Sequence, residues 1–234
     1  MLKCLPLLRQ EKAQGWGTRL WLGKRIPAHR KPILGGTLKH ANPSRIGVLA
    51  IQGDYAAHAA ALSEVGAEPC EIRKAAQLES LDGLILPGGE STTMLKFLEK
   101  HSFFEALEEF SKKKPVFGTC AGAILLAREV RNPAQRSLGI LDAVVERNAY
   151  GRQIDSTILT VGTELPGGPL EMVFIRAPRI VATGAQVQIL GRREGLPVLV
   201  RQGAVLAATF HPELSKDRRV HRLFVELVKD EQNR

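Results

Sequence analysis

The pattern of hydrophobic and polar positions along this chain changes near its middle. Between residues 46 and 130, short continuous apolar runs alternate with segments of helical spacing. The run 46–51 is typical of a strand buried on both faces, and the segment 55–66 has helical spacing and ends at a glycine. Strands that alternate with helices over short connections predict a mostly parallel sheet covered by helices on both faces.

The same patterns predict the remaining elements. Further strands are expected at 68–74, 82–89 and 115–120, and further helices at 90–100, 103–114 and 121–130. The helix at 90–100 opens with Ser and Thr in cap positions. After about residue 138 the chain has short β-type runs separated by Gly and Pro, which predict added strands and hairpins on the sheet, and then an amphipathic helix over 216–231. The expected fold class is therefore α/β, a three-layer, mostly parallel twisted sheet with added C-terminal strands.

The net positive charge of the chain comes entirely from residues 1–45. They contain ten Lys or Arg residues and one acid, Glu11, whereas the remaining 189 residues carry 23 of each sign. Because the body has no basic excess of its own, no nucleic-acid binding is expected. The basic segment lacks the apolar core of a secretory signal, and it fits a transit peptide only in part because Ser44 is its only serine. We expect a disordered N-terminal extension, or residues upstream of the true translation start, followed by one domain over 46–231.

The cysteines are few and scattered. Cys4, Cys70 and Cys120 form an odd set without a C-x-x-C pair. This argues against a disulfide framework or a zinc site and favours a reducing compartment, so we expect a cytoplasmic protein without a metal. No apolar run approaches the roughly 18 residues of a membrane span, so no membrane association is expected.

One cysteine lies between two glycines. Cys120 has Gly118 two positions before it and Gly122 two positions after it, in the segment GTCAG. This is the spacing of the nucleophile elbow, with Cys in place of Ser. In such a strained turn, side chains at the glycine positions would collide with neighbouring elements, the sulfur is held out into solvent, and the following helix N-terminus favours the thiolate. The alternative is a small buried cysteine in a Gly/Ala-rich packing turn.

A cysteine nucleophile needs a base, and His211 is the best placed histidine. It follows the apolar run 204–208, and Glu213 lies two residues on, where an extended chain points it the same way. A carboxylate at that spacing can orient the imidazole, as Asp does in a Ser-His-Asp triad. Taken alone, an exposed His-Pro turn with a neighbouring Glu is equally compatible. The other histidines are interpreted as surface or otherwise satisfied side chains: His29, His40, His58, His101 and His221.

A third motif, LPGGES, follows a predicted strand. Gly88 and Gly89 expose backbone N–H groups at the start of a predicted helix, where anions and oxyanions bind. A phosphate-binding P-loop would need a lysine that this segment lacks. The motif therefore favours an oxyanion hole, and an ordinary Gly-rich turn with a Ser cap is the alternative.

Together these motifs resemble class I, triad-type glutamine amidotransferases, and more closely the glutaminase subunits of pyridoxal 5′-phosphate synthase. The resemblance covers about residues 46–230, in the family's order. It rests on the segments IGVLAIQGD, DGLILPGGESTTM, FGTCAG, VVERNAYGRQ, FIRAP and TFHPELSKDRRVH. The segments PGGESTT, GTCAG and ERNAYGRQ are specific to this subunit. Residues 1–45 depart from the family, whose members begin near the IGVLAIQG strand.

The resemblance implies a flavodoxin-like fold and a glutaminase reaction. Cys120 would attack the side-chain amide of L-glutamine, His211 would move the proton, and Glu213 would orient His211. It also implies that ammonia passes to a synthase subunit, which makes pyridoxal phosphate within a large hetero-oligomer and switches the glutaminase on by docking. The chain itself would bind no pyridoxal phosphate and need no cofactor or metal. The residues expected to contact glutamine are Gly88, Gly89, Glu90, Arg147, Ile175 and Arg176.

Three alternatives remain open from the sequence. One is the glutaminase of another class I amidotransferase, against which the segment ERNAYGRQ argues. Another is a catalytically silent regulatory or binding protein on the same fold, against which the complete Cys, His and Glu set argues. The third is a cysteine hydrolase or deglycase-type protein with a similar elbow, which the His-x-Glu pair and the PGGES segment disfavour.

Overall fold

The computed structural model describes residues 42–100, 102–147 and 156–234. The largest sheet within these ranges has seven strands. The predictions for residues 1–41, for His101 and for the end of the ERNAYGRQ segment lie outside these ranges. The strands within them are β1 (Arg45–Leu49), β2 (Glu68–Ile72), β3 (Gly83–Leu86), β4 (Val116–Thr119), β5 (Ala127–Arg131), β6 (Leu141–Glu146), β7 (Ser156–Val161), β8 (Leu170–Ile175), β9 (Arg179–Thr183), β10 (Gln188–Arg193), β11 (Leu196–Gln202) and β12 (Val205–Ala208).

The main sheet is mostly parallel, as predicted. Its strand order is β10-β11-β12-β4-β3-β1-β2. Strands β2, β1, β3, β4 and β12 pair in parallel, and β11 and β10 join antiparallel at one edge. The central strands consist almost entirely of buried residues, which explains their continuous apolar sequences.

Helices cover both faces of this sheet, which confirms the predicted α/β class. The α-helices are α1 (Tyr55–Glu64), α2 (Ser91–Lys100), α3 (Phe103–Ser111), α4 (Ala121–Leu126) and α5 (Arg219–Gln232), with short 3₁₀ helices at Ala75–Ser80 and Pro212–Leu214. Neighbouring strand residues point to opposite faces, so Leu84 and Leu86 join one apolar cluster and Ile85 joins the other. Helices α2, α3 and α4 contribute to the first cluster, and α1 and α5 contribute to the second.

Two predictions about elements are wrong. The helix expected over 121–130 ends at Leu126, and residues from Ala127 form β5, which pairs in parallel with β6. Ala, Arg and Glu favour helices, but strand pairing and the burial of Val130 override that preference here. The late strands also do not all extend the main sheet, because β5, β6 and β9 form a separate three-stranded sheet and β7 and β8 a hairpin.

The described helices are too short or too polar to cross a membrane. Across residues 42–100, 102–147 and 156–234, no helix combines the length and the apolar character needed to cross a bilayer.

Candidate active site

The turn between β4 and α4 holds Cys120 in a strained conformation. Its φ of 49° and ψ of −105° are unusual for a residue with a side chain. Its backbone N–H donates to the carbonyl of Ala208 at 2.9 Å, which ties the turn to the end of β12. An added Cβ at Gly118 would lie 2.6 Å from the carbonyl carbon of Gly122, and one at Gly122 would overlap the carbonyl oxygen of Leu86. Close packing therefore explains both glycines, as the sequence predicted.

The environment of the sulfur differs from the prediction in two ways. Cys120 is only 7% exposed and lines a cavity, so the turn does not hold it out into bulk solvent. Its Sγ lies 4.0 Å from the carbonyl oxygen of Ile175, at the outer limit of a thiol hydrogen bond. The following helix α4 has just six residues, so its dipole is short. The charge environment of Cys120 therefore depends mainly on the side chains around it.

His211 and Glu213 lie at the carboxyl end of β12, next to Cys120. The backbone N–H of His211 donates to the carbonyl of Val173 at 2.8 Å, and its Nδ1 lies 2.8 Å from Oε1 of Glu213. Both side chains are buried, with the Glu213 side chain fully inaccessible and that of His211 7% exposed. A buried carboxylate at this distance fixes the Nδ1–H tautomer and leaves Nε2 to act on a neighbouring group.

The pKa of His211 is strongly raised. Burial alone would lower the pKa of this imidazole, but hydrogen bonds to Cys120 and Glu213 and the charges of these two groups raise it to about 10. The imidazolium is thus favoured when a thiolate and a carboxylate flank it. The arrangement therefore favours a protonated His211 between its two neighbours.

The predicted site residues surround one cavity. Its volume is about 280 Å³, at the small end of the range for ligand pockets. Seven predicted residues line it, while Gly88 and Glu213 lie just behind that lining, next to His211. The seven are Gly89, Glu90, Cys120, Arg147, Ile175, Arg176 and His211. Their roles stay predictions, because proximity alone does not show catalysis or binding.

The Pro-Gly-Gly loop packs directly beneath the Cys-His pair. An added Cβ at Gly88 would lie 2.5 Å from Cε1 of His211 and 3.4 Å from Cβ of Cys120, so a glycine is needed there. Gly89 has a φ of 129°, which favours glycine. The cap of α2 differs from the predicted Ser/Thr cap, because the carboxylate of Glu90 accepts the backbone N–H groups of Thr92 and Thr93 at 2.9 and 2.7 Å. These bonds, and above all the one from the Thr93 hydroxyl, lower the pKa of Glu90 to about 2.

Two arginines face the cavity from separate elements. Arg147 follows β6, and its side chain is only 12% exposed. It donates to Oγ1 of Thr92 at 2.7 Å and lies 3.6 Å from Oε1 of Glu90. Arg176 follows β8 in a positive-φ conformation, with φ of 44°. The cavity therefore has cationic groups that could bind a carboxylate.

Several residues around the site were not predicted from the sequence. Gly53, Asp54, Ser91 and Ile124 also line the cavity. His58 and His221 were expected to be surface or otherwise satisfied, and both are fully buried in a hydrogen-bonded group behind Glu213. For Asp54, its place directly after a predicted strand was a usable signal, because ligands bind beyond the carboxyl ends of parallel strands. No local signal marks the two histidines, since their partners are distant in sequence.

Comparison with known proteins gives one consistent result. Residues 48–230 match the SNO glutamine amidotransferase family. A Koribacter versatilis protein named pyridoxal 5'-phosphate synthase subunit PdxT is 58% identical over 186 residues, which cover 80% of this chain and 96% of that relative. A Thermotoga neapolitana protein of the same name is 51% identical over 189 residues, covering 79% and 100%.

Solved structures agree with this result. One described as a glutamine amidotransferase is 48% identical, has a TM-score of 0.73, and covers 79% of this chain and 98% of its own. Another, described as a putative GMP synthase protein from Thermoplasma acidophilum, is 17% identical with a TM-score of 0.64, and it covers 83% and 98%. The second likeness shows the fold alone.

Proposed function

This chain belongs to the SNO glutamine amidotransferase family, and from that premise we propose that it hydrolyses L-glutamine to L-glutamate and ammonia. The ammonia is supplied to a synthase subunit that makes pyridoxal 5′-phosphate. Relatives at 58% and 51% identity are named as subunits of that synthase, and each is spanned almost entirely by this chain. The proposal assigns the nucleophile to Cys120, proton transfer to His211 and the orientation of His211 to Glu213.

One observation carries this assignment above the others. Cys120 lies on a strained turn at the wall of a cavity that His211 also lines, and Nδ1 of His211 lies 2.8 Å from a fully buried carboxylate. A packing cysteine would need neither the strain nor a charged partner. The raised pKa of His211 supports an imidazolium that is ready to donate a proton at neutral pH.

The chemistry then follows in two halves. The Sγ thiolate of Cys120 attacks the side-chain amide carbon of glutamine, the C–N bond breaks, and the His211 imidazolium gives its proton to the leaving nitrogen, which departs as ammonia. A water molecule next attacks the thioester, and neutral His211 takes a proton from it. The C–S bond breaks, the side-chain carboxylic acid loses its proton to solution, and the thiolate–imidazolium pair is restored.

The charges around the cavity suit an amino acid substrate. Glutamine carries a carboxylate and an ammonium group besides its amide. We assign the carboxylate to Arg147 and Arg176, whose guanidinium groups can form paired hydrogen bonds. The acidic residues Asp54 and Glu90, which line the same cavity, favour the ammonium group. Backbone N–H groups of the Gly88-Gly89 loop are assigned to the oxyanion that forms during attack, and Ile175 is assigned to contact with glutamine.

The setting of the reaction is part of the proposal. We infer a large hetero-oligomer with the synthase subunit, since ammonia must reach the acceptor without loss to solvent. The pyridoxal phosphate is made on that subunit, and the glutaminase needs neither a cofactor nor a metal. A cytoplasmic location is supported by Cys70 and Cys120, which are both free thiols, and by the absence of a C-x-x-C pair from the sequence.

Measuring glutamate release with and without the synthase subunit of the same organism tests the proposal. The parent chain should be strongly activated by that partner. Cys120→Ser should release no glutamate above background, while its unfolding transition and its binding to the synthase stay as in the parent, because the change replaces one atom. Cys70→Ser is the matched control, since this cysteine lies on the edge strand β2 and should be silent.

Two results would contradict the proposal in different ways. Glutamate release by Cys120→Ser at the parent rate would remove the nucleophile assignment. Equal activity of the parent with and without the synthase would favour another amidotransferase or a hydrolase, because activation by docking is what identifies the subunit.

A further inference from the structure

A line of buried polar side chains continues behind Glu213, away from the cavity. While Oε1 of Glu213 faces His211, Oε2 lies 3.2 Å from Nε2 of His58 on α1. Nδ1 of His58 lies 3.0 Å from Nε2 of His221 on α5. Both histidines are completely inaccessible to solvent. Two helices therefore reach the far side of the predicted triad through imidazole rings.

The protonation of this line follows from its chemistry. Burial, together with the nearby His221 and His211, lowers the pKa of His58 well below 6.5, so its ring is neutral and carries one proton. A carboxylate oxygen only accepts hydrogen bonds, so the nitrogen facing it, Nε2, must carry the proton. The bare Nδ1 of His58 then accepts from Nε2–H of His221. Nδ1 of His221 is left as a bare acceptor, in agreement with its having no hydrogen-bond partner among the described residues.

Nε2 of His58 lies close to two oxygen atoms and bonds one of them. Oγ1 of Thr119, the residue before Cys120, lies 3.1 Å from Nε2 and the carboxylate oxygen of Glu213 lies 3.2 Å from it. The N–H is not aligned well enough with Oε2 to count as a hydrogen bond, and Oε2 has no aligned donor elsewhere in the described ranges. A buried carboxylate oxygen without a donor is unfavourable, and the structure places the N–H of His58, which donates to Thr119, next to it.

We propose that His58 is a positioning residue of the site: its neutral ring donates Nε2–H to Thr119 and holds that N–H 3.2 Å from Oε2 of Glu213, which fixes the carboxylate and the nucleophile turn relative to each other, and His221 sets its tautomer. His58 touches no substrate. It acts through Glu213, whose orientation of His211 is the assignment proposed above, so the inference rests on that function. A histidine that merely fills the core would contribute to stability alone.

One aromatic ring and one ion pair also lie close to the two buried histidines. Phe117 on β4 meets His58 edge to face at 6.3 Å. Arg218 and Glu64 are the charged groups near His221, and they bind each other at 2.7 Å. Burial first, and then Arg218, lowers the pKa of His221 to about 4. Both rings are therefore neutral across the pH range in which the proposed glutaminase would work.

The test compares three substitutions at position 58. His58→Gln can keep a side-chain N–H near the place of Nε2, His58→Asn is too short to reach Glu213, and His58→Leu is apolar. The rate of iodoacetamide alkylation at Cys120 is followed against pH by peptide mass, and Cys70 in the same digest is the internal reference. We expect the midpoint of the Cys120 profile to rise by about one pH unit in the Leu and Asn variants, since a less well held Glu213 stabilises imidazolium less. The Gln variant should stay near the parent.

Kinetics with the synthase separate positioning from stability. The kcat for glutamate release should fall about tenfold in His58→Leu, with KM within about twofold of the parent. In the Glu213→Gln background, His58→Leu should add less than about twofold, because its effect passes through that carboxylate. Unfolding curves of the same samples show how much stability each variant has lost.

The outcomes decide the proposal. Unchanged Cys120 midpoints in the Leu and Asn variants, an equal shift in all three variants, or a full tenfold loss in the Glu213→Gln background would each overturn it. If His58→Leu does not fold, the Cys120 alkylation midpoints of His58→Gln and His58→Asn are compared instead, and a difference between them supports the proposal. The alkylation profile needs neither glutamine nor the synthase. It therefore still judges His58 if no glutamate release is found, a result that would count against the proposed function alone.

Discussion

The two oxygens of one carboxylate, Glu213, face two histidines with opposite behaviour. His211 lies 2.8 Å from one oxygen and has its pKa raised to about 10. His58 lies 3.2 Å from the other and has its pKa lowered well below 6.5. Both rings are buried, so neither burial nor the carboxylate alone explains the difference.

The second neighbour of each ring decides its charge. His211 also lies beside Cys120 at the wall of the cavity, and hydrogen bonding and charge from that side chain help to raise the pKa of His211. His58 has Thr119 and His221 as its other neighbours, which are neutral, and it is fully enclosed between α1, β4 and α5. A carboxylate can thus face a histidine with a raised pKa on one side and a neutral histidine on the other.

The largest expected effect comes from changing the shared carboxylate. Glu213→Gln keeps the size of the side chain but removes the charge, and its amide can stabilise the wrong tautomer of His211. We expect kcat for glutamate release to fall by about 10³ to 10⁴ in a steady-state assay with the synthase, as for the corresponding change in serine protease triads. The fold should survive, as judged by circular dichroism. A fall in kcat of less than about tenfold would show that glutamate release does not depend on the charge of Glu213.

A smaller effect is expected from crowding His211 alone. In Gly88→Ala the new methyl group would lie 2.5 Å from Cε1 of His211, so the ring must shift from its place next to Cys120. We expect a loss of about 10² in kcat/KM, the order expected for a misplacement of about 1 Å. Gly162→Ala is the matched control, since an added Cβ there meets nothing within 4 Å. Similar activities of the two variants would mean that the position of His211 is not critical.

The smallest expected effect is on the free energy of unfolding. Its pH dependence should differ between the buried pair His58 and His221 and the cavity residue His211. His58 and His221 take up protons on unfolding below pH 6.5, so the free energy of unfolding should fall as the pH falls towards the His221 pKa of about 4. The raised pKa of His211 has the opposite sign: its stabilisation is complete below about pH 6.5 and is lost as the pH rises through about 10.

Urea unfolding at a series of pH values from about 5 to about 10 tests this difference. His221→Leu should flatten the acid side by up to about 1.4 kcal/mol per pH unit, the contribution of one proton. His211→Gln should leave the acid side unchanged and alter the alkaline side. If His221→Leu left the acid slope as in the parent, this histidine would not be neutral in the folded chain.

Much of the fold and of the site could be predicted because the signals are local. Short apolar runs and helical segments marked the parallel sheet, and the predicted family and α/β class were confirmed. Cys120 between two glycines and Glu213 two residues after His211 are visible in a few residues of sequence. The structure brings these side chains to one cavity, although their catalytic roles stay predictions.

What could not be predicted depends on contacts between distant segments. His58 and His221 are separated by most of the chain, and each alone looks like an ordinary helix residue. The sequence of β5 favours a helix, and its pairing with β6 makes this segment a strand instead. The burial of Cys120 likewise comes from the surrounding cavity wall, which a turn motif does not encode.

The pairing of β4 with β12 also has a consequence for synthesis of the protein. Cys120 ends one of these neighbouring strands and His211 follows the other, and the strands between them in sequence lie elsewhere. During translation the cysteine leaves the ribosome long before its histidine does. An unfinished chain therefore carries the Cys120 thiol without His211 beside it, and the proposed active site is complete only when the last strand of the sheet has been added.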